Sequence, residues 1–122
     1  SNVVHQFFDK NEPLQIRELA ITNADNPFAD TDRPDQDTTG LSIWSAALIL
    51  ARWTQQKSWG DATVLELGAG CGVPGLSVSV SKPPPKKVYV TDLNPQSVEN
   101  LQHNIALNNL QHNTTALIMD WC

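Results

Sequence analysis

Three carboxylates sit at or near the ends of three short apolar runs. Glu66 lies in Val64-Leu65-Glu66-Leu67, Asp92 follows Val88-Tyr89-Val90-Thr91, and Asp120 follows Thr114-Thr115-Ala116-Leu117-Ile118-Met119. Directly after the first run comes Gly68-Ala69-Gly70-Cys71-Gly72-Val73-Pro74-Gly75. Glycines at 68, 70 and 72 allow a sharp bend and let backbone N–H groups come close to a ligand. A helix starting after them would aim its positive end at the same place. An acid about 20 residues beyond such a turn is placed to accept hydrogen bonds from ribose hydroxyls. An acid at the end of the third run can accept from an exocyclic amine such as that of adenine, and the neighbouring Trp121 can cover a base. The chemistry implied is the holding of a nucleotide-like ligand.

Two ligand classes fit that frame. A dinucleotide site wants G-x-G-x-x-G directly after the strand, with the pyrophosphate on the helix N-terminus. Gly70, Gly72 and Gly75 match the string but begin two residues late, and counted from Gly68 the third required glycine is Val73. Glu66 also opposes a pyrophosphate, since a carboxylate repels two phosphates. It suits a ligand bearing a cationic amine or a sulfonium.

The elements that must position these groups alternate. Val64–Leu67 reads as a buried strand, and 73–81 as a helix with Pro74 tolerated in its first turn. Lys82-Pro83-Pro84-Pro85 stops that helix. Val88–Thr91 is a second strand. Asn94 caps a helix with Pro95 at its first position, and Val98, Leu101, Ile105 and Leu107 form its apolar stripe up to Asn108-Asn109. Thr114–Met119 is a third strand. Strand, helix, strand, helix, strand implies a parallel sheet with right-handed crossovers, whose strand carboxyl ends form the ligand crevice.

Upstream, residues 41–57 read as a helix capped by Ser42, with Trp44, Ala47, Leu48 and Ala51 on one face and Ile43, Leu50 and Thr54 widening it. Residues 23–40 form a polar loop rich in Asp, with Pro27, Pro34 and Gly40 against regular structure. It is not a calcium loop, because the sixth and twelfth positions counted from Asp30 are Asp35 and Leu41. The runs Val3–Phe8 and Leu14–Ile21, separated by Asp9-Lys10-Asn11-Glu12-Pro13, suggest a β-hairpin or two short strands.

Composition narrows the class. A chain of 122 residues is one domain in size, and a net charge of −5 does not suit a nucleic-acid binder. The basic cluster Lys82 to Lys87 reads as a solvated loop. Cys71 and Cys122 make no disulfide framework, which fits a reducing compartment. The longest uncharged apolar run, Leu41 to Ala51, is too short to span a membrane. His5, His103 and His112 have no metal-ligand spacing, and no metal site is expected.

Glu66-Leu67-Gly68-Ala69-Gly70-Cys71-Gly72 resembles motif I of the class I, seven-β-strand methyltransferases that use S-adenosylmethionine. The stretch from Val88 through Asp92-Leu93-Asn94-Pro95 to Asn108 resembles their second strand and following helix, and Ile118-Met119-Asp120-Trp121 their third-strand end. Within that superfamily the chain is most similar to the methyltransferase-like group that modifies lysines of non-histone proteins. Thr39-Gly40-Leu41-Ser42-Ile43-Trp44, the Gly68–Leu76 run and the Asp120-Trp121 pair carry that similarity.

The resemblance implies an α/β fold: a Rossmann-like parallel sheet with flanking helices, truncated after its third strand, plus a short N-terminal β segment. A hairpin and acidic loop would occupy residues 1–38 and the cofactor-binding part residues 39–122. It implies S-adenosyl-L-methionine as cofactor and S-adenosyl-L-homocysteine as product. Glu66, Gly68, Ala69, Gly70 and Gly72 would surround the methionine moiety. Asp92, with Leu93 beside it, would hold the ribose. Asp120 and Trp121 would meet the adenine, and Trp44 would flank the cofactor. The expected partner is a protein substrate, with neither nucleic acid nor membrane, in the cytoplasm or also the nucleus. A non-catalytic module that kept the cofactor fold is the other reading, and a dinucleotide oxidoreductase a distant third.

The family's sheet continues beyond its third strand, and its substrate motif follows the fourth. Asp25-Asn26-Pro27-Phe28 matches that motif's string but precedes motif I, and reads as chance. With no fourth strand beside it, Val64–Leu67 would present a bare apolar edge. The chain is therefore expected to be the cofactor-binding part of a longer protein, or to have that edge covered by a partner strand.

Overall fold

A computed structural model describes residues 3–7, 14–19 and 43–120. The expected 9–13 turn, 23–40 acidic loop, Ser42 cap and Trp121 lie outside these residues. The elements run β1 (Val3–Phe7), β2 (Leu14–Glu18), α1 (Ser45–Thr54), β3 (Thr63–Glu66), α2 (Val73–Ser79), β4 (Lys87–Asp92), α3 (Pro95–Leu107) and β5 (Thr114–Ile118). Strands β3, β4 and β5 form a parallel sheet in that order, with Val64 beside Val88 and Val88 beside Thr114. The register brings the ends of the strands, with Glu66, Asp92 and Ile118, to one rim.

The core lies between this sheet and the helices. Val88 and Val90 of β4 are fully buried, as a central parallel strand requires, against Val73 and Leu76 of α2 and Leu101 of α3. Asn94 caps α3 as expected, accepting from the Gln96 N–H at 2.8 Å ahead of Pro95 in the first turn. Helix α2 stops at Ser79, short of the expected 81, although Ser81 still donates to the Ser77 carbonyl. Leu107, expected in the α3 stripe, is exposed in the final turn.

Helix α1 departs most from expectation. It starts at Ser45, and its N-cap residue is Trp44, with no side-chain cap. Only Ala51 and Thr54 are buried, with Ala47 half-buried, while Trp44, Leu48 and Leu50 are exposed. The small side chains are the ones that let α1 lie close against α2. Gln55 fastens the pair by donating to the Ser77 carbonyl at 2.9 Å. The larger residues stand at the rim instead.

Among the described strands, β3 pairs with β4 alone. Leu65 of β3 and Leu67 just beyond its end are 52% and 48% exposed. The run Val64–Leu67, expected as a buried strand, is thus half exposed, because no described element packs over this side of it.

The N-terminal hairpin is antiparallel, with Val3 opposite Glu18 and Phe7 opposite Leu14. A lone two-stranded hairpin is marginal in water. Here Leu14 and Ile16 are completely buried in the common core. The second edge of β2 is met by side-chain amides from α3 and its C-cap residue, Asn108. Asn108 accepts from the Gln15 N–H at 2.7 Å and donates to the Gln15 carbonyl at 2.6 Å. Asn104 does the same for Arg17 at 2.8 and 3.3 Å. The spacing permits it. Four helical residues rise about 6 Å and two strand residues about 6.6 Å, so asparagines four apart meet strand residues two apart. Each such bond contributes about 1 kcal/mol net, and losing the partner of a buried N–H costs about 1–3 kcal/mol.

Candidate functional site

The glycine turn begins where β3 ends and is pinned to the end of β4. The Ala69 N–H donates to the Thr91 carbonyl at 2.8 Å, and the Thr91 hydroxyl donates to the Glu66 carbonyl at 2.7 Å. Gly68, Gly70 and Gly72 all have positive φ. Gly72, at φ +89°, is the N-cap of α2, and a Cβ there would fall 2.6 Å from Leu101 Cδ2. The turn must therefore lie against α3 with no side chain between them.

Asp92 holds the turn from the other side. One carboxylate oxygen accepts from the Gly70 N–H at 2.9 Å and the other from the Asn94 N–H at 3.1 Å. A carboxylate oxygen can accept more than one bond, so the acid keeps capacity for hydroxyl groups in front of it.

Glu66 reaches past the turn to the start of α2, where it accepts from the Gly75 N–H at 3.0 Å. A Cβ on Gly75 would stand 2.5 Å from both Glu66 Oε1 and Val90 Cγ1, so only glycine lets helix, acid and sheet approach this closely. Burial pushes the Glu66 carboxyl up from 4.5 to about 7; the Gly75 amide opposes the rise and nearby Asp92 adds to it. The arrangement bears on the dinucleotide alternative. Pro74 has no N–H, and the Gly75 N–H is already used by a carboxylate. A pyrophosphate would find acid where it needs amides.

These groups line a cavity of about 520 Å³. Its floor is Glu66 and the 67–72 turn; Asp92, Leu93 and Asn94 form one wall, and Met119 and Asp120 another. Ile43, Trp44, Ala47 and Leu50 from the head of α1 make the remaining side. Thus Trp44, Glu66, Gly68, Ala69, Gly70, Gly72, Asp92, Leu93 and Asp120 all come to one place. Trp121 is outside the described residues. Trp44 is 58% exposed and faces the opening rather than the core.

Among the described residues, three carboxylates and no basic side chain line the cavity. Among the described residues no three of His, Cys, Asp and Glu cluster tightly enough to hold a metal ion. Cys71 is buried, and burial first, then the Glu18 and Asp92 carboxylates, push its thiol up to about 12. A thiol so placed stays protonated and is a poor nucleophile.

Several lining residues were not picked out as site residues from sequence. Ile43, Ala47, Leu50 and Met119 supply apolar wall, and nothing in their types marks them. Asn94 caps α3 as its sequence position implies, and its place two residues beyond Asp92 also puts it in the wall. Gly75 matters through Glu66. The signal for it was present: it is the glycine that would complete G-x-G-x-x-G, whose last member serves close helix–strand packing.

A family model described as lysine methyltransferase matches residues 25–122. Among curated proteins, the chain is 40% identical over 73 residues to the protein-lysine N-methyltransferase EEF2KMT of Mus musculus, covering 58% of this chain and 22% of that protein. It is 31% identical over 100 residues to the protein-lysine N-methyltransferase rrg1 of Schizosaccharomyces pombe, covering 79% of this chain and 31% of that protein. The chain thus spans less than a third of the length of either relative. Among solved structures, Methanocaldococcus jannaschii Trm5 in complex with adenosine aligns with a TM-score of 0.53 at 31% identity, over 64% of this chain and 24% of that one. Pyrococcus horikoshii TYW2 aligns over 98% of this chain and 37% of that one, with a TM-score of 0.58 at 19% identity, a likeness of fold.

Proposed function

The chain belongs to the lysine methyltransferase family, and from that premise we propose that its cavity holds S-adenosylmethionine for methyl transfer to a lysine of a non-histone protein. One observation carries the reading: a cavity of about 520 Å³ lined by Glu66, Asp92 and Asp120, with no basic side chain among the described residues that line it. That volume lies within the range of about 300–1,000 Å³ usual for small-molecule sites. The charge suits a ligand with an ammonium and a sulfonium and opposes a diphosphate.

Each residue then has a task. Glu66 and the 68–72 turn face the ammonium and sulfonium end. Asp92, oriented by Gly70 and Asn94, accepts from the ribose hydroxyls. Asp120 would accept from the adenine amine, with Leu93 and Met119 about the ring. Trp44 closes the open side. The cofactor supplies an electrophilic methyl group. What these residues contribute is position and exclusion of water, the main resource for an in-line displacement by a neutral amine. A protein lysine must lose its proton before it can attack.

The reading extends to the rest of the protein. Among the described strands β3 has one neighbour, and Leu65 and Leu67 beside it are exposed, which supports a further strand covering β3, from the same protein or from a partner. A chain that stays monomeric and soluble at high concentration counts against that. No helix among the described residues is long and apolar enough to cross a membrane. A reducing compartment, cytoplasm or nucleus, is proposed on the two cysteines that form no disulfide framework.

Thermal unfolding with S-adenosylhomocysteine, with NAD, and with neither tests the ligand. A ligand at about 100 times its dissociation constant stabilises the fold by roughly 2.7 kcal/mol. A shift with NAD and none with S-adenosylhomocysteine would overturn the reading. Transfer of a labelled methyl group to protein lysine then separates an enzyme from a module that only binds the cofactor.

A further inference from the structure

Strand β2 lies behind the cavity, yet two adjacent residues of it connect to opposite walls. Arg17 is gripped by Asn104, whose side-chain N–H₂ also donates to the Cys71 carbonyl of the glycine turn at 3.1 Å. Asn104 is completely buried. One amide thereby ties the hairpin to the cavity floor. Asn100, also completely buried, adds a second grip. It accepts from the Arg17 guanidinium at 2.8 Å and donates to the Arg17 carbonyl at 2.9 Å.

The next residue, Glu18, points to the other wall. One of its carboxylate oxygens accepts from the Ile43 N–H at 2.6 Å, just before the first turn of α1, and the other lies 3.3 Å from His5 Nε2 on β1. Ile43 and Trp44 line the cavity. Floor and rim are thus both fixed to one strand more than 20 residues away in sequence. Asn108 offers a built-in contrast. It grips Gln15 of the same strand, but its other side-chain donation goes to the Asn104 carbonyl one turn earlier in α3, and none of its hydrogen bonds to the described residues reaches the cavity.

We propose that β2 is a positioning element of the cofactor cavity, with Asn104 and Glu18 as positioning residues that hold the Cys71 end of the glycine turn and the Ile43 end of the rim at a fixed separation. The idea rests on the proposed cofactor reading for its ligand but not for its geometry. An enclosing site gains affinity when its walls are already in place before binding, since less ordering remains to be done. Loosening the hairpin should therefore weaken the ligand by more than the loss of global stability explains.

Four variants of the chain test this: Asn104→Ala, Asn108→Ala, Glu18→Ala and Glu18→Gln. Amide hydrogen exchange without ligand reports the turn at 69–72 and the rim at 43–47. Calorimetric titration with S-adenosylhomocysteine reports affinity, and thermal unfolding reports stability. N104A should raise exchange across 69–72 and weaken S-adenosylhomocysteine by about fivefold or more, within the usual span of coupling between sites. N108A should lower the melting temperature while leaving both turn exchange and affinity near wild type. E18A should loosen 43–47 and weaken binding, and E18Q, which keeps an acceptor for the Ile43 N–H, should restore both. Should N104A not fold, the Glu18 pair decides alone. Equal effects of N104A and N108A, or E18A at wild-type affinity with an unchanged rim, would overturn the proposal. If wild type fails to bind S-adenosylhomocysteine, the cofactor reading falls, and the exchange measurements still decide whether β2 braces the cavity.

Discussion

Replacing Glu66 by Gln should stabilise the chain and weaken its ligand in the same stroke. The wild-type carboxyl rises from 4.5 to about 7 on folding because burial disfavours its charge. At 1.36 kcal/mol per unit this amounts to about 3 kcal/mol of strain carried by the ionised folded state. The sign follows from which state holds the proton. Below pH 4.5 the group is protonated both folded and unfolded, and it costs nothing. Between 4.5 and 7 the unfolded chain releases the proton that the folded chain keeps, so stability falls as pH rises. Above 7 the cost is complete and constant. Glutamine never incurs it, and its carbonyl can still accept from the Gly75 N–H. The charge-assisted strength of that bond is already contained in the net shift. The gain at pH 8 is then about 3 kcal/mol, or roughly 10 °C in melting temperature for a domain of this size. Melting curves of both proteins from pH 4 to 8.5 would show a gap that opens between 4.5 and 7 and then stays level. With S-adenosylhomocysteine the order reverses. A bound ammonium favours the ionised carboxylate, so wild-type affinity should rise with pH through about 7, while E66Q binds weakly and without that dependence. A gap independent of pH, or an E66Q protein less stable than wild type at pH 8, would refute the argument.

Three further outcomes follow from the same geometry. Gly75→Ala places a methyl group 2.5 Å from Val90 and Glu66, and such overpacking costs about 1–3 kcal/mol; the helix-propensity gain of about 1 kcal/mol offsets part of it. G75A should therefore unfold earlier in urea and also lose affinity, because Glu66 must move. Trp44→Ala should change chemical stability by less than about 0.5 kcal/mol, as exposed sites do, yet weaken S-adenosylhomocysteine by about tenfold, equivalent to about 1.4 kcal/mol, in a calorimetric titration. Asn94→Ala removes the cap on the Gln96 N–H and should cost about 1 kcal/mol in denaturant unfolding.

The parallel sheet was legible because each of its signals is local. Val88-Tyr89-Val90-Thr91 is a run that only a buried strand explains, and Asn94-Pro95 states the start of α3 within two residues. The carboxylates were legible as a set because strand ends in a parallel sheet fall on one rim. Helix α1 departs from its apolar pattern for a physical reason. Apolar periodicity gives the face but not the depth, and here the packing contact belongs to Ala47, Ala51 and Thr54. Trp44 and Leu50 stand out at a cavity, where large apolar residues are exposed for use rather than buried for stability. The raised Glu66 carboxyl was also beyond reach, since it depends on Gly75 and Val90 closing over it.

Helix α3 shows why part of the site has no sequence signal. Its apolar stripe, Val98, Leu101 and Ile105, faces the core and obeys the helical period. Asn100, Asn104 and Asn108 obey it equally, at spacings of four, but as polar residues they look like a solvated face. Asn100 and Asn104 are completely buried. They are stable there only because a strand edge from the far end of the chain satisfies them, and that edge is stable only because they satisfy it. Neither half makes sense without the other, and 83 to 93 residues separate them. The same amide row that replaces a missing strand neighbour for β2 also reaches the Cys71 carbonyl. The cavity floor is therefore shaped by a pairing that no window of sequence contains. Fixing a turn from behind has a further consequence: substitutions in the hairpin, far from any ligand atom, should act on affinity while the lining residues stay unchanged.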